Sequence, residues 1–298
     1  MAEAYPELAK GRRARVGTEH HARPGINLRY LCACAYVVKE TGNGPKSVAN
    51  AKIVIPCYNE EDRLDVSTFT DFKNSSHNIT FLFVNDGSTD GTFRLLERLQ
   101  KSEPAKFNLL NLPYNQGKAE AVRQGLLAGI SPQHHYIGFW DADLATPLDA
   151  IPAFLDLAES RPDVEMIFGA RVKLLGRRIQ RRTARHYIGR LFATAVSMML
   201  GLAIYDTQCG AKLFRVSSSL HGLFDKPFLS RWIFDVEIIA RLIQARRGKQ
   251  LPQPEQVIYE FPLIEWRDVH GSKLGYADFV RAAWELASIY ERYLWNRS

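Results

Sequence analysis

The feature that most limits this chain's fold is a rhythm of short apolar runs separated by helix-length amphipathic stretches. KIVIPC (52–57), ITFLFVN (79–85), KFNLLNL (106–112), HYIGFW (135–140) and VEMIFGA (164–170) are rich in Val, Ile, Leu and Phe. Runs this apolar suit strands buried on both faces of a sheet. Between them lie FRLLERLQ (93–100), NQGKAEAVRQGLLAG (115–129) and LDAIPAFLDLAES (148–160). In the second of these, Ala119, Val122 and Leu126 recur at helical spacing. Strands alternating with helices demand βαβ units, so the expected architecture is α/β, a mostly parallel central sheet flanked by helices. Residues 1–50 are basic and poorly periodic apart from LCACAYVV, and read as a variable N-terminal extension to one domain over 51–298.

In an open parallel sheet, ligands bind at the carboxyl ends of the strands. The polar clusters fall there: Tyr58, Asn59 and Glu60 after the first run, Asn85 to Asp90 after the second, Asn115 to Lys118 after the third. After the fourth come Asp141 and Asp143. A nucleotide is the natural occupant of such a row. The first turn, PCYNEED, holds no GxGxxG, and no GxxxxGK[ST] occurs anywhere, which disfavours dinucleotide and P-loop sites. Two adjacent aspartates repel unless a cation or a proton lies between them. Positions i and i+2 of a strand share a face, so both carboxylates reach one ion. Hard oxygen ligands suit Mg²⁺ or Mn²⁺, which commonly sit between one or two carboxylates and substrate phosphates.

The formal net charge of +7 is unevenly spread: residues 171–190 hold eight Arg or Lys and no acid. The apolar LFATAVSMMLGLAIY (191–205) follows directly. Two readings stand: a core helix with a solvated basic loop, or an element that meets anionic head groups or a phosphate-bearing lipid. Nucleic acid is not an expected partner, because no recognition motif accompanies the charge. The four cysteines, Cys32, Cys34, Cys57 and Cys209, form no CxxC, which indicates a reducing compartment. Cys209 has no histidine placed to activate it, so a catalytic thiol is not expected. The N-terminus lacks a signal-peptide pattern. The uncharged run Leu191 to Tyr205 is shorter than the roughly 20 residues of a spanning helix. A cytoplasmic protein, with peripheral contact at the cytoplasmic membrane face, is the expectation.

IVIPCYNEEDRL, FVNDGSTDGT, NQGKAEAVRQGL, FWDADLATP and GAR, in this order, resemble the motifs of family-2 glycosyltransferases with a GT-A fold. YDTQCGAKLFR and SRWIFDVEIIARL are similar more specifically to the dolichyl-phosphate (polyprenyl-phosphate) β-glucosyltransferase branch. The resemblance implies inverting, metal-dependent transfer of glucose from UDP-glucose to a polyprenyl phosphate. Carried over onto this chain, it implies that Pro56, Tyr58, Asn59 and Glu60 hold the nucleoside and that Asp86 meets the pyrimidine, with Lys118 nearby. It implies Asp141 at the ribose or sugar side, Asp143 on the metal, and Arg171 and the basic block on the acceptor phosphate. Lys212, Asp235 and Glu237 would lie toward the donor substrate. His270 would be a third metal ligand or a diphosphate donor, and Lys273 a phosphate partner, each with a structural alternative. Asp206 occupies the position of the base in related enzymes. A phosphomonoester, however, has a second pKa near about 6 and is already mostly ionised at neutral pH. Asp206 then has three further readings: orienting the acceptor, stabilising positive charge that develops on the sugar, or capping a turn.

Two departures from the pattern matter. Ala145 stands where many relatives carry glutamine, and Asn85 where many carry aspartate. The first favours glucose over mannose within the resemblance. The C-terminal amphipathic helix, with Trp284, Tyr290, Tyr293 and Trp295, suits either a membrane interface or core packing. The rival functions are a soluble family-2 enzyme using another nucleotide sugar, such as GDP-mannose, or a hydroxyl acceptor, and a non-catalytic nucleotide-sugar-binding or membrane-associated scaffold.

Overall fold

A computed structural model of the protein describes residues 47–180, 183–268 and 276–295. The five apolar runs all become strands: β1 (Asn50–Cys57), then α1 (Val66–Asp71), β2 (Asn78–Asp86), α2 (Thr92–Ser102) and β3 (Phe107–Leu112). The chain continues through α3 (Lys118–Gly129), β4 (Tyr136–Trp140), α4 (Ala150–Ser160) and β5 (Met166–Ala170). Next come β6 (Arg178–Gln180), α5 (Thr183–Leu200), β7 (Ala211–Arg215), α6 (Ser218–Phe224) and α7 (Phe234–Arg246). The last elements are α8 (Pro254–Val257), β8 (Ile258–Pro262), β9 (Glu265–Arg267), α9 (Tyr276–Ile289) and a π-helical turn, Tyr290–Leu294.

Seven strands form the main sheet in the order β3-β2-β1-β4-β7-β5-β8, while β6 and β9 pair in a small parallel ribbon. The strand period of two divides the sheet's side chains between two cores. Ile53, Ile55, Phe81, Phe83, Tyr136 and Trp140 face one, against Phe69, Leu96 and Phe154. Val54, Val84, Ile137 and Phe139 face the other, against Val122, Leu126, Phe234 and Ile238. Helices on both faces explain why the strands read as unbroken apolar runs rather than as alternating ones.

The sheet departs from the expected parallel order at one place, and that place makes the site. β7, which carries AKLFR, runs antiparallel between β4 and β5. Trp140 pairs with Ala211, and the Asp141 amide donates to the Gly210 carbonyl at 2.9 Å. The carboxyl end of β4 therefore meets the amino end of β7, and the segment 206–210 lies beside Asp141 to Asp143.

No helix among the described residues is long and apolar enough to cross a membrane. On α5, Leu191 and Met198 are largely exposed, whereas Val196 is buried. The C-terminal aromatics divide between the two readings of the sequence. Trp284, Tyr290 and Trp295 are exposed, while Tyr293 packs inward and its hydroxyl donates to Glu237 Oε1 at 2.8 Å.

Candidate active site

A cavity of about 390 Å³ opens at the carboxyl ends of β1, β2 and β4. Its lining includes Pro56, Tyr58, Glu60, Asp86, Lys118, Asp141 and Asp143, seven of the residues singled out from the sequence, together with Arg63 and Asn115.

The walls are built by backbone geometry that the local sequence requires. Gly87 adopts φ 60°, and a Cβ there would overlap the backbone of Tyr114 and Asn115. That close approach lets the buried Asp86 carboxylate accept from the Gln116 amide at 2.7 Å and the Gly117 amide at 2.8 Å. Asp86 thus fixes the turn that starts α3 while lining the cavity. Lys118, at the first position of α3, places Nζ 2.5 Å from Asp141 Oδ1. Enclosure by the cavity works against the ammonium, but the Asp141 carboxylate holds the Lys118 pKa above its ordinary value. Gly210 makes room for the Asp141 carboxylate, which a side chain at 210 would overlap.

Asp143 is placed differently. Leu144 after it takes φ 52°, rare for a branched side chain, and turns the chain so that the Ala145 amide donates to Asp143 Oδ1 at 3.0 Å. Burial and then the neighbouring Asp141 push the Asp143 pKa up. Burial also raises Glu60, where Arg63 at 3.4 Å opposes Asp143, Asp90 and Asp141. Lys118 answers Asp141 and Arg63 answers Glu60, but Asp143 has no ion-pair partner among the described residues.

This donor set fits a hard divalent cation held by Asp143 and Asp141 and completed by substrate oxygens. A cage made by protein alone is not there: no group of three or more His, Cys, Asp or Glu among the described residues could hold a metal. His270 and Lys273, expected near the metal and the phosphate, lie outside the described residues.

Beyond β7, Asp206 is held in a fork. Arg171 Nε and Nη2 donate to its two oxygens at 2.6 and 2.7 Å, and the amides of Arg171 and Gln208 add bonds of 3.0 and 3.1 Å. The Arg171 guanidinium also lies over the Trp266 ring at 5.2 Å. Arg171 therefore has Asp206 as its partner inside the protein, and Asp206 is an ion-paired carboxylate.

Three further residues singled out from the sequence have partners inside the protein. Lys212 is fully buried, with Nζ 2.6 Å from both Asp235 Oδ1 and the Cys209 carbonyl and near the rings of Phe139 and Phe168. It lies inside the protein rather than on the cavity wall and neutralises Asp235, whose pKa burial raises and Lys212 restrains. Glu237 is fully buried too, accepting from the amides of Leu229 and Ser230, from Arg241 and from Tyr293. These bonds hold the 229–230 loop against α7 and occupy the carboxylate inside the protein. Asn59, at φ 51°, turns its side chain to the Thr89 amide at 2.9 Å and supports the loop after β2. Cys209 is buried against Gly169, and burial lifts its thiol to about 11.

Two site residues went unread in the sequence. Arg63 follows Glu60 by one helical turn, an acid–base spacing that a charge-pair search would find. Glu260 accepts the amides of Tyr205 and Asp206. Its signal is a single acid inside the apolar VIYEFP.

A mixed α/β sheet with one reversed strand, and a carboxylate-lined cavity where the reversal falls, define the class of GT-A nucleotide-sugar transferases. Solved structures agree on the fold. Glucosyl-3-phosphoglycerate synthase from Mycobacterium tuberculosis, solved with UDP, aligns with TM-score 0.56 at 17% identity, over 82% of this chain and 80% of that one. The mannosyltransferase PcManGT from Pyrobaculum calidifontis, solved with GDP-Man and Mn²⁺, aligns with TM-score 0.54 at 17% identity, over 83% of this chain and 65% of that one. Residues 52–221 match the family described as Glycosyl transferase family 2. Dolichyl-phosphate beta-glucosyltransferase of Saccharomyces cerevisiae is 32% identical over 265 residues, 81% of this chain and 74% of that protein. The protein of the same name from Drosophila melanogaster is 32% identical over 257 residues, again 81% and 74%. The chain belongs to glycosyl transferase family 2.

Proposed function

We propose that the chain transfers glucose from UDP-glucose to a dolichyl-type polyprenyl phosphate with inversion at the anomeric carbon. The observation that carries this reading is the charge pattern of the cavity: Lys118 pairs with Asp141, Arg63 pairs with Glu60 and two backbone amides hold Asp86, whereas Asp143 accepts only the Ala145 amide and has no ion-pair partner among the described residues. A donor diphosphate brings further negative charge, so Asp143 and Asp141 would hold a divalent ion between protein and donor. When bound, Mg²⁺ or Mn²⁺ draws charge from the departing diphosphate. The names of the relatives supply the glucose and the dolichyl phosphate.

The chain's own residues account for the rest. Tyr58, 44% exposed at the cavity, offers an aromatic face to the nucleoside. Lys118 pairs with Asp141 and holds its carboxylate at the cavity wall. The acceptor phosphate, ionised above about pH 6, attacks the anomeric carbon with its own oxygen. The bond to UDP breaks and UDP leaves with the electron pair, so no protein group has to remove a proton. Asp206, forked by Arg171, then orients the acceptor side and stabilises positive charge developing on the sugar. The exposed Leu175, Leu191 and Met198, with the basic residues 171–190, support approach of a lipid acceptor from the cytoplasmic face of a membrane.

The test is incubation of purified protein with Mn²⁺ and radiolabelled UDP-glucose, with and without a short polyprenyl phosphate, followed by counting the organic phase. Counts that need both metal and lipid support the proposal. UDP-glucose binding with no lipid product would refute the acceptor, and no binding would refute the donor.

A further inference from the structure

We infer that Glu260 is a positioning residue for the acceptor half of this site, holding Asp206 and, through it, Arg171 in the segment that leads into β7 beside Asp141. The inference rests on the reading that Asp206 acts in the transfer.

Glu260 sits mid-strand on β8, in register with Phe168 of β5. Its side chain leaves the sheet toward the irregular segment before β7 and receives two consecutive backbone donors. The Tyr205 amide lies 2.9 and 2.8 Å from its two oxygens, and the Asp206 amide 2.7 Å from Oε1. Consecutive amides converging on one anion form a nest, and bonds to an ionised acceptor are stronger than neutral ones. Arg190 holds the same segment from another direction, stacked 3.9 Å over the Tyr205 ring with Nη1 3.5 Å from the Tyr205 carbonyl. Asp206 is thus fixed at its amide by Glu260 and at its carboxylate by Arg171.

A plain loop anchor does not need a charge here. Burial raises the Glu260 pKa, and the nearby Asp206 carboxylate pushes the same way, while the two amides and Arg190 oppose them. A second acid beside Asp206 is electrostatically unfavourable, and a neutral acceptor could tie down the same loop without it. The carboxylate offers two oxygens in one plane, and here both accept. That is the arrangement needed to set the direction of the Tyr205–Asp206 peptide, and with it the direction of the Asp206 side chain.

The experiment compares E260A, E260Q, D206N and D206N/E260A in the full chain, by steady-state transfer from UDP-glucose to a short polyprenyl phosphate with Mn²⁺. A positioning role predicts that E260A lowers kcat about tenfold or more while KM for UDP-glucose stays within about twofold. E260Q, which keeps one acceptor oxygen, should recover part of the loss. D206N/E260A should be no slower than D206N, because residues acting through one group are not additive. The inference is overturned if E260A lowers melting temperature with kcat intact, if KM for UDP-glucose rises in step, or if the two losses multiply. E260Q carries the same comparison if E260A does not fold. Wild-type turnover in D206N would overturn the underlying reading of Asp206 and the inference with it. An inactive D206N beside a fully active E260A overturns the inference alone.

Discussion

Lys212→Met separates a buried ion pair from a substrate contact. Methionine nearly matches the lysine stem in shape and suits a site between Phe139 and Phe168. What it removes is the ammonium 2.6 Å from Asp235 Oδ1, leaving a carboxylate only 6% exposed without its counter-charge. Breaking a buried pair from one side costs about 3–5 kcal/mol. For a domain of this size each kcal/mol is worth roughly 2–4 °C, so the melting temperature should fall by about 6–20 °C. The pH dependence has a definite sign. Burial already raises the folded-state pKa of Asp235, and Lys212 restrains it. An acid with a raised folded pKa favours the folded state at low pH and loses that contribution as pH rises through the folded value. Without Lys212 the rise is larger, so the deficit is greatest at neutral pH and shrinks in acid as Asp235 protonates. Adding Asp235→Asn should restore much of the lost stability, since neither charge is then left unpaired. Thermal melts of wild type, single and double variants from about pH 5 to 8 measure all of this. A Lys212→Met protein that melts like wild type but shows a raised KM for UDP-glucose would refute the reasoning and return Lys212 to the substrate.

Other expectations concern the cavity and the acceptor. Asp143→Asn should abolish Mn²⁺-dependent UDP-glucose binding by calorimetry. It should also melt at or above wild type at neutral pH, because it removes a carboxylate that burial and Asp141 disfavour, and that advantage should fade in acid as the wild-type group takes a proton. Gly210→Ala should displace the Asp141 carboxylate and weaken binding of UDP with Mn²⁺ on the order of tenfold, about 1.4 kcal/mol; unchanged affinity would mean that Asp141 does not hold the donor. Transfer to polyprenyl phosphate should lose rate below about pH 6, following ionisation of the acceptor. That limb should persist in any residual activity of Asp206→Asn, and its disappearance there would make Asp206 the base.

How far the sequence reached can be seen residue by residue. All five apolar runs became strands, because burial on both faces leaves an unmistakable composition. Pro56, Tyr58, Glu60, Asp86, Lys118, Asp141 and Asp143 converge on one cavity because strand ends in a parallel sheet share an edge. AKLFR was legible as a motif but not as a reversed strand: its direction depends on pairing with β4 and β5, which are distant in sequence. The same limit applies to charge. A sequence shows that Lys212, Arg171 and Glu237 are ionisable, but not which of them has a partner in the folded chain. Lys212 and Asp235 are 23 positions apart and meet at 2.6 Å; Arg171 and Asp206 are 35 apart and meet in a fork. A buried charge must be paired, whereas a charge that serves substrate must be left at least partly unsatisfied. Asp143 meets the second condition among the described residues, while Lys212 and Glu237 meet the first. Motif position alone gives all three the same standing, and only the folded arrangement of their partners separates them.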